Sequence, residues 1–289
     1  MSWRTVVITE SAKLDYQKEY LVVRKKEITK IFIKEISVLV LESTAVSLTA
    51  VLLSELVKNK VKVIFCDEKR NPLSELMPFS GSYDTSGKIR QQIAWSAEIK
   101  KLVWTEIVSE KIRKQRDFLK ELGKEEYKML DGYLREMKVG DTTNREGHSA
   151  KVYFSALFGK DFVRSEENAI NGALNYGYAI LRAICNREIA INGYINQIGI
   201  FHDNATNPEN LGCDLMEVFR VMIDRFVYRT NPEELNSDIK HMILGLFNKE
   251  VLIDNKKQIL DNAIKIYCRS VFDSLNEKDC SYLKSYSFI

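Results

Sequence analysis

Three residues that lie far apart in the sequence have side chains that could hold one divalent metal ion. Glu146 lies in Asn-Arg-Glu-Gly-His-Ser-Ala-Lys-Val-Tyr-Phe, His202 in Gly-Ile-Phe-His-Asp-Asn, and Glu217 in Asp-Leu-Met-Glu-Val-Phe-Arg. Each segment lies at or beside a predicted helix. Two carboxylates and one imidazole suit a hard or borderline cation that keeps coordination positions open for substrate oxygens. If the fold brings these segments together, the set indicates chemistry that cuts or joins phosphodiester bonds.

The helix predicted after Asn210 carries two acidic residues on one face. Asp214 and Glu217 are three residues apart, which makes them neighbours on the helix surface. Clustered carboxylates raise each other's pKa unless a cation neutralises them, and a bound metal ion resolves that conflict. A solvent-exposed pair of acids is also common on helices, so the spacing leaves both interpretations open.

Other polar residues are candidates for assisting roles. The helix predicted over 168–187 carries a polar stripe in which Asn175 could orient a ligand and Arg182 could contact phosphate. An interhelical hydrogen-bond stripe explains the same pattern equally well. His148, two positions after Glu146, points in a different helical direction, and we predict a surface or DNA-facing position for it.

The stretch 88–122 is rich in lysine and arginine and could form one long helix or two. Such a run most simply indicates a solvated helix face. It could also neutralise a nucleic-acid backbone, because phosphate contacts are made mainly by lysine and arginine. The candidates for DNA binding in this stretch are Lys100, Lys101, Arg113, Lys114 and Arg116.

The element pattern changes from strand to helix along the chain. Residues 1–80 contain short runs rich in β-branched residues around one amphipathic helix, and 81–87 is predicted to be a linker. Helices are predicted over 88–122, 125–137, 146–158, 168–187, 211–227, 235–248 and 256–274. The predicted fold class is therefore α+β, with a small β-rich N-terminal domain (1–80) followed by a larger all-α catalytic domain (88–289).

The composition excludes several classes of protein. The 289 residues are 45% hydrophobic and 29% charged, which is typical of a globular protein. Five widely spaced cysteines without a Cys-x-x-Cys pair indicate neither a disulfide framework nor a structural zinc site. The apolar runs are too short for a membrane helix, and residues 1–10 lack the apolar region of a signal peptide, so we expect a cytoplasmic location without membrane association.

In this order, these segments resemble the CRISPR-associated integrase family, the catalytic subunit of spacer acquisition. The resemblance rests on 145–154, 171–182, 199–202 and 214–220 followed by Asp224, and it extends to strands near 30–36 and 63–69. It covers essentially the whole chain. The family usually has prolines where this chain has Val218 and Val221.

The resemblance implies a site and a reaction. Glu146, His202 and Glu217 would be the catalytic metal ligands for Mn²⁺ or Mg²⁺, and Asp214 would assist the metal or the DNA end. The family inserts short duplex DNA, the spacer precursor, into the CRISPR repeat array. A DNA 3′-hydroxyl attacks a repeat phosphodiester by transesterification, so no ATP is needed.

The resemblance also implies partners. The family forms homodimers through its β domain and is bridged by a small ferredoxin-like CRISPR-associated adaptation protein. Two alternatives remain: a non-catalytic DNA-binding scaffold of the adaptation complex, and a helical protein-interaction module without a nucleic-acid role. Metal-dependent strand transfer would exclude the non-catalytic scaffold, and salt-sensitive DNA binding would exclude the protein-interaction module.

Overall fold

The structure, a computed structural model, describes residues 4–289, so the first three residues of the predicted 1–80 domain lie outside it. The N-terminal elements are β1 Arg4–Ile8, β2 Ala12–Gln17, β3 Tyr20–Arg24, β4 Ile28–Phe32, β5 Ile36–Leu41, β6 Val46–Leu48, α1 Ala50–Lys58, β7 Lys62–Cys66 and β8 Pro72–Leu76. The helices that follow are α2 Thr85–Ile93, α3 Ala97–Glu121, α4 Tyr127–Arg135, α5 Arg145–Phe158, α6 Ala169–Ile191, α7 Asn210–Met216, α8 Arg220–Thr230, α9 Ser237–Gly245 and α10 Leu260–Glu277. Three short strands, β9 Glu250–Ile253, β10 Lys256–Ile259 and β11 Tyr286–Ser287, complete the described chain.

The N-terminal strands form two four-stranded sheets. In the first, with the order β1-β5-β7-β8, the strands β1, β5 and β7 are parallel and β8 is antiparallel. In the second, with the order β4-β3-β2-β6, consecutive hairpins pair antiparallel and β6 joins β2 in parallel. Strands β5 and β7 are rich in Val, Ile and Leu, as expected for parallel strands that are buried on both faces.

The first sheet contributes to two hydrophobic cores because successive side chains point to opposite faces. Leu39 and Val63 pack with the second sheet and α1. Val38, Val40 and Ile64 pack instead with the helices. The N-terminal strands and the helical region therefore share a core through one face of this sheet.

The rest of the described chain is mostly helical, which confirms the α+β class with its β-rich part first. The predicted stretch 88–122 is two helices, since Ser96 caps α3 by accepting a hydrogen bond from Ile99 N at 3.3 Å. In residues 4–289, no helix is both long enough and apolar enough to cross a bilayer.

One predicted element was wrong at its start. The helix expected over 256–274 begins only at Leu260, and Lys256–Ile259 is a strand paired with β9. The two-residue turn Asp254-Asn255 has positive φ at both positions, 54° and 57°, which is the geometry of a tight β-hairpin. The C-terminal region is therefore not all-α, because a three-stranded sheet accompanies its helices.

Candidate active site

The N-terminus of α5 fixes the position of Glu146. Asn144 Oδ1 accepts a hydrogen bond from Gly147 N at 3.2 Å. The two carboxylate oxygens of Asp141 accept from Arg145 N at 2.7 Å and from Glu146 N at 2.9 Å. These side chains satisfy amides that the first helical turn leaves without intrahelical partners. A Cβ at Gly147 would lie 2.8 Å from Asn144 Oδ1, which explains the glycine that follows Glu146.

Glu217 lies where the chain passes from α7 into α8. A 3-10 turn over Glu217–Phe219 joins the two helices, so the helix predicted over 211–227 is present with a tighter turn at this residue. Glu217 is only 3% exposed. Its Oε1 accepts a hydrogen bond from Arg220 Nη1 at 2.9 Å, which leaves Oε2 for another partner.

Lys111 of α3 joins the two glutamates. Its Nζ donates to Glu146 Oε1 at 2.6 Å and to Glu217 Oε2 at 2.5 Å. The Lys111 side chain is buried, so solvent and salt screen these pairs much less than surface pairs. Two of the three predicted metal ligands therefore face one cation position, and an ammonium group lies at that position.

His202 lies in the loop between α6 and α7, where Asp214 of α7 holds both the loop and the ring. Asp214 accepts hydrogen bonds from the amides of Ile200 at 2.5 Å, Phe201 at 3.1 Å and His202 at 3.1 Å. His202 Nδ1 lies 2.7 Å from Asp214 Oδ1. Because a carboxylate at Nδ1 keeps the proton there, the Nε2 lone pair is left to bind a metal ion. A Cβ at Gly199 would lie 2.7 Å from Asp214 Oδ2, which explains the glycine in this loop.

The charges of the site shift the pKa values of its members. Burial alone would raise the pKa of Glu217, but the charges of Arg220 and Lys111 outweigh it and lower this pKa to about 2. The hydrogen bond to Asp214 raises the pKa of His202, and the charges of both glutamates add to the rise. His202 therefore belongs to the same electrostatic cluster as the two carboxylates.

A cavity of about 600 Å³ opens beside this cluster. Its lining includes Lys111, Glu146 and Arg220 together with apolar and aromatic side chains of α5 and α6. Three further cationic side chains line it: Lys151, Lys160 and Arg164. Positive charge and aromatic surface next to reactive carboxylates suit a nucleic-acid strand, which offers phosphates and stacking bases.

Asp224 is a second acidic residue in the lining of this cavity. It is buried and accepts a hydrogen bond from the Tyr178 hydroxyl. Burial raises the pKa of Asp224 to about 6, although the Tyr178 hydroxyl and the positive charge of Arg220 act in the opposite direction. The Arg220 guanidinium carbon lies 4.2 Å from the centroid of the Tyr178 ring, so the three side chains form one packed unit.

The donor atoms suit a hard divalent ion in their chemistry. Carboxylate oxygens of Glu146 and Glu217 converge on one cation position, and His202 offers Nε2 nearby. In the arrangement of residues 4–289, no group of three or more His, Cys, Asp or Glu side chains is set to hold a metal ion. Lys111 Nζ lies between the two carboxylates, at the position that a shared ion would take.

Asn175 and Arg182 of α6 have different partners in the structure. Asn175 Oδ1 accepts a hydrogen bond from Arg164 Nη2 at 2.9 Å and so supports one of the cations that line the cavity. Arg182 pairs instead with Glu209, with Nε 2.9 Å from Oε2. His148 is exposed on α5, in agreement with the predicted surface position, and its DNA-facing role stays a prediction.

The basic stretch is less uniform than its sequence indicated. Lys100 and Lys101 reach the surface, whereas Arg113 pairs with Glu110, and Arg116 pairs with Asp117 and Asp131. Lys114 differs from all of these, because it is buried and its Nζ donates to the Tyr286 carbonyl at 2.7 Å. This environment is that of a structural lysine, not of a contact to a DNA backbone.

Sequence reasoning gave no role to Lys111 or Arg220. Lys111 had a detectable signal, because it falls in helical phase with the apolar residues Val108 and Ile112 of α3, where a lysine needs a buried partner. Arg220 had the spacing of an i, i+3 pair with Glu217. The cavity cations Lys151, Lys160 and Arg164 carried no comparable signal.

The chain is similar to known proteins over most of its length. The family model described as CRISPR associated protein Cas1 matches residues 5–239. A CRISPR-associated endonuclease Cas1 from Neisseria meningitidis serogroup C is 31% identical over 291 residues, covering 98% of this chain and 96% of the relative. Among solved structures, a casposase bound to integration product has a TM-score of 0.76 at 20% identity, covering 96% of this chain and 92% of the casposase chain. A Cas6-RT-Cas1–Cas2 complex has a TM-score of 0.75 at 16% identity, covering 99% of this chain and 36% of the matched one. The chain therefore belongs to the CRISPR-associated protein Cas1 family.

Proposed function

We propose that this protein is a divalent-metal-dependent DNA integrase and endonuclease of CRISPR adaptation. The observation that carries the proposal is the convergence of Glu146 and Glu217 on one cation position, beside a cavity of about 600 Å³ that cationic side chains line. The endonuclease name of the Neisseria relative and the integration product bound to the casposase support a phosphodiester reaction.

In this proposal Glu146, Glu217 and His202 hold one Mn²⁺ or Mg²⁺ ion. The bound ion would polarise a phosphoryl oxygen and stabilise charge on the attacking and leaving oxygens. Asp214 positions the reaction without touching DNA, because it fixes the His202 ring and the backbone of the loop that carries it. The substrate-facing cations Lys151, Lys160 and Arg164 neutralise phosphates of the strand in the cavity.

The proposed chemistry is transesterification. The 3′-hydroxyl oxygen of a spacer precursor bonds to phosphorus in the CRISPR repeat, and the bond from that phosphorus to the displaced strand's 3′ oxygen breaks. The proton of the attacking hydroxyl ends on the displaced oxygen. Since one phosphodiester forms for each one that breaks, the reaction needs no ATP.

The test is a strand-transfer assay with purified protein, linear duplex DNA and a plasmid that carries a repeat. We expect joined product in Mn²⁺ or Mg²⁺ and none in EDTA, where the protein should stay folded and still unfold in a thermal transition. Salt-sensitive DNA binding without transfer in any divalent metal would support the scaffold alternative instead.

The proposal includes a homodimer and a small ferredoxin-like adaptation protein as partners. The second N-terminal sheet supports a self-contact, because its edge strand β4 is mostly exposed, with Ile28 60% accessible. The Cas1–Cas2 complex found among similar structures supports the second partner. Light scattering at micromolar concentration should give the mass of two chains, and a monomer would contradict the homodimer.

A further inference from the structure

Lys111 is the residue of the site to which the proposed reaction gives no role. It comes from the middle of α3, the longest helix of the described chain, and it is buried. A buried ammonium group is stable only when it is paired and hydrogen-bonded. Here its partners are the two carboxylates that the proposed function reserves for a metal ion, at 2.6 Å and 2.5 Å from Nζ.

The ammonium group and the metal ion exclude each other at this position. Mg²⁺ binds carboxylate oxygens at roughly 2.0–2.1 Å, slightly closer than an ammonium nitrogen. An ion bound to both glutamate oxygens would therefore lie almost where Nζ lies. Two cations in direct contact repel strongly in a poorly solvated site, so Nζ has to leave when the ion enters.

The arrangement also explains how the acidic pair persists without metal. Glu217 is 3% exposed and shares its charge between Arg220 on Oε1 and Lys111 on Oε2. Without Lys111, the second oxygen of Glu217 would face Glu146 with no cation between them. Like charges at that distance would drive the two side chains apart or protonate one of them.

We propose that Lys111 is a resident counter-cation that holds Glu146 and Glu217 in place in the metal-free protein and that the divalent ion must displace. This inference rests on the proposed function, because it assigns the two glutamates to a metal site. Lys111 is then a positioning residue that sets the metal concentration at which the site fills. Its long unbranched stem allows this movement more readily than the planar fork of an arginine.

The displaced ammonium group has a destination within the same cavity. Asp224 lines the cavity together with Lys111, and the charge of Lys111 already acts on the Asp224 carboxyl. Asp224 holds a hydrogen bond from Tyr178 on Oδ1. We therefore expect Lys111 Nζ to pair with Asp224 when the metal ion is bound.

Mn²⁺ titration of the full-length protein, followed by electron paramagnetic resonance of the free ion, tests the displacement. Lys111→Met and Lys111→Gln should each bind Mn²⁺ at least about tenfold more tightly than the natural chain, because the competing cation is gone. In EDTA both variants should unfold at a lower temperature, and Mn²⁺ should raise that temperature more than in the natural chain.

Lys114→Met is the matched control. Lys114 is also a buried lysine of α3. It pairs with Glu110, Ser285 Oγ and the Tyr286 carbonyl, and not with Glu146 or Glu217. Its loss should lower stability and leave Mn²⁺ affinity unchanged. If it tightened Mn²⁺ binding as much as Lys111→Met does, the gain would reflect a general loosening of α3, and the proposal would fail.

A second pair of variants separates this inference from the proposed function. Glu146→Gln and Glu217→Gln should each lose Mn²⁺ binding in the natural background and in the Lys111→Met background. If they keep it, the proposed metal site is wrong. If they lose it while the Lys111 variants gain no affinity, the metal site stands and the displacement is wrong.

Crystals of the natural chain test the displacement without any substitution. With Mn²⁺ bound, Nζ should lie at Asp224 and no longer between the glutamates. An ammonium group that still bridges Glu146 and Glu217 in the Mn²⁺-bound protein would overturn the proposal, whatever the variants do.

Discussion

Two buried charged clusters of this protein have similar composition but different central cations, a lysine in one and an arginine in the other. The candidate active site joins Lys111 and Arg220 to two glutamates and opens on the cavity of about 600 Å³. The second cluster lies where β5, α6 and α10 meet. There Arg187 donates to Glu188 at 2.9 Å and to Asp261 at 3.0 Å.

In the second cluster the hydrogen bonds share the same few groups, so each one restricts the positions of the others. Arg187 Nη1 also donates to the Ser37 carbonyl at 3.1 Å, and the Ser37 hydroxyl donates to Asp261 at 2.6 Å. A guanidinium fork with fixed acceptors is a rigid connector, whereas an ammonium group on a flexible stem is a point charge that can move. We therefore expect a buried ion pair to join secondary-structure elements firmly when its cation is an arginine, and to allow another cation to replace it when its cation is a lysine.

The largest expected effect is on chemistry at the first cluster. Glu217→Gln, Glu146→Gln and His202→Ala should each reduce strand transfer by more than about 100-fold, since losing a metal ligand should exceed the effect of losing its supporting partner. The fold should persist, because none of the three side chains belongs to a hydrophobic core. Transfer rates with Mn²⁺ and far-ultraviolet circular dichroism measure the two effects. A folded triple variant that still joins DNA would show that this site is wrong.

The second cluster should respond in the opposite way. Arg187→Met leaves Glu188 and Asp261 buried without their cation, so the free energy of unfolding should fall by about 3–5 kcal/mol. Strand transfer at low temperature should survive, because Arg187 does not touch the candidate site. Urea unfolding and the transfer rate at 15–20 °C together test this contrast. Unchanged stability would remove the distinction between the clusters.

Asp224 should make stability depend on pH in a direction unusual for a carboxylate. Burial raises its pKa in the folded protein to about 6, above the ordinary aspartate value of 3.8. The folded state therefore favours the protonated form, and the cost of ionisation grows as pH rises from about 4 to about 6 and stays constant above that. Asp224→Asn should increase the free energy of unfolding by about 2–3 kcal/mol at pH 8, since one pKa unit is worth roughly 1.4 kcal/mol.

Thermal unfolding from pH 4 to pH 8 measures this effect. The variant and the natural chain should converge near pH 4, where both carry a neutral side chain at this position. A variant that is less stable than the natural chain at pH 8 would mean that the Asp224 charge supports Arg220 more than burial penalises it.

The smallest effects concern the DNA path. Lys151→Glu with Lys160→Glu should weaken DNA binding and reduce the salt slope by roughly 0.7–0.9 for each phosphate contact that is lost. Lys100→Glu with Lys101→Glu is the matched pair from the basic stretch and carries the same charge change. Fluorescence anisotropy at several salt concentrations compares them. If only the second pair changes the slope, the strand follows α3 and not the cavity.

Much of the fold follows from local pattern. The β-branched runs and the apolar periodicity of the helices gave the order of elements, since both signals come from residues near in sequence. The start of α10 was predicted wrongly, because Asp254-Asn255 is a hairpin turn without the usual glycine. The spacing of apolar residues along a helix cannot show that the chain has reversed direction at a two-residue turn just before it.

The candidate site could be predicted only in part, because its parts meet across the fold. The resemblance and the spacing predicted Glu146, Glu217 and His202 as candidate metal ligands, and the structure brings the first two onto a common cation. Nothing local indicated that Lys111 would lie between them, since 35 residues separate Lys111 from Glu146 and 106 from Glu217. The cavity cations come from α5 and the segment after it, where surface lysines carry no signal of a groove.

The first N-terminal sheet, which packs against two hydrophobic cores, is made on the ribosome well before the helix that covers one of its faces. Strand β7 ends at Cys66, and α6, which covers that face, begins only at Ala169. At about 5–20 residues per second, the ribosome needs roughly 5–20 s to make the intervening chain. For that time Val38, Val40 and Ile64 lack the cover of α6, and we expect nascent chains to need a holding chaperone until α6 emerges.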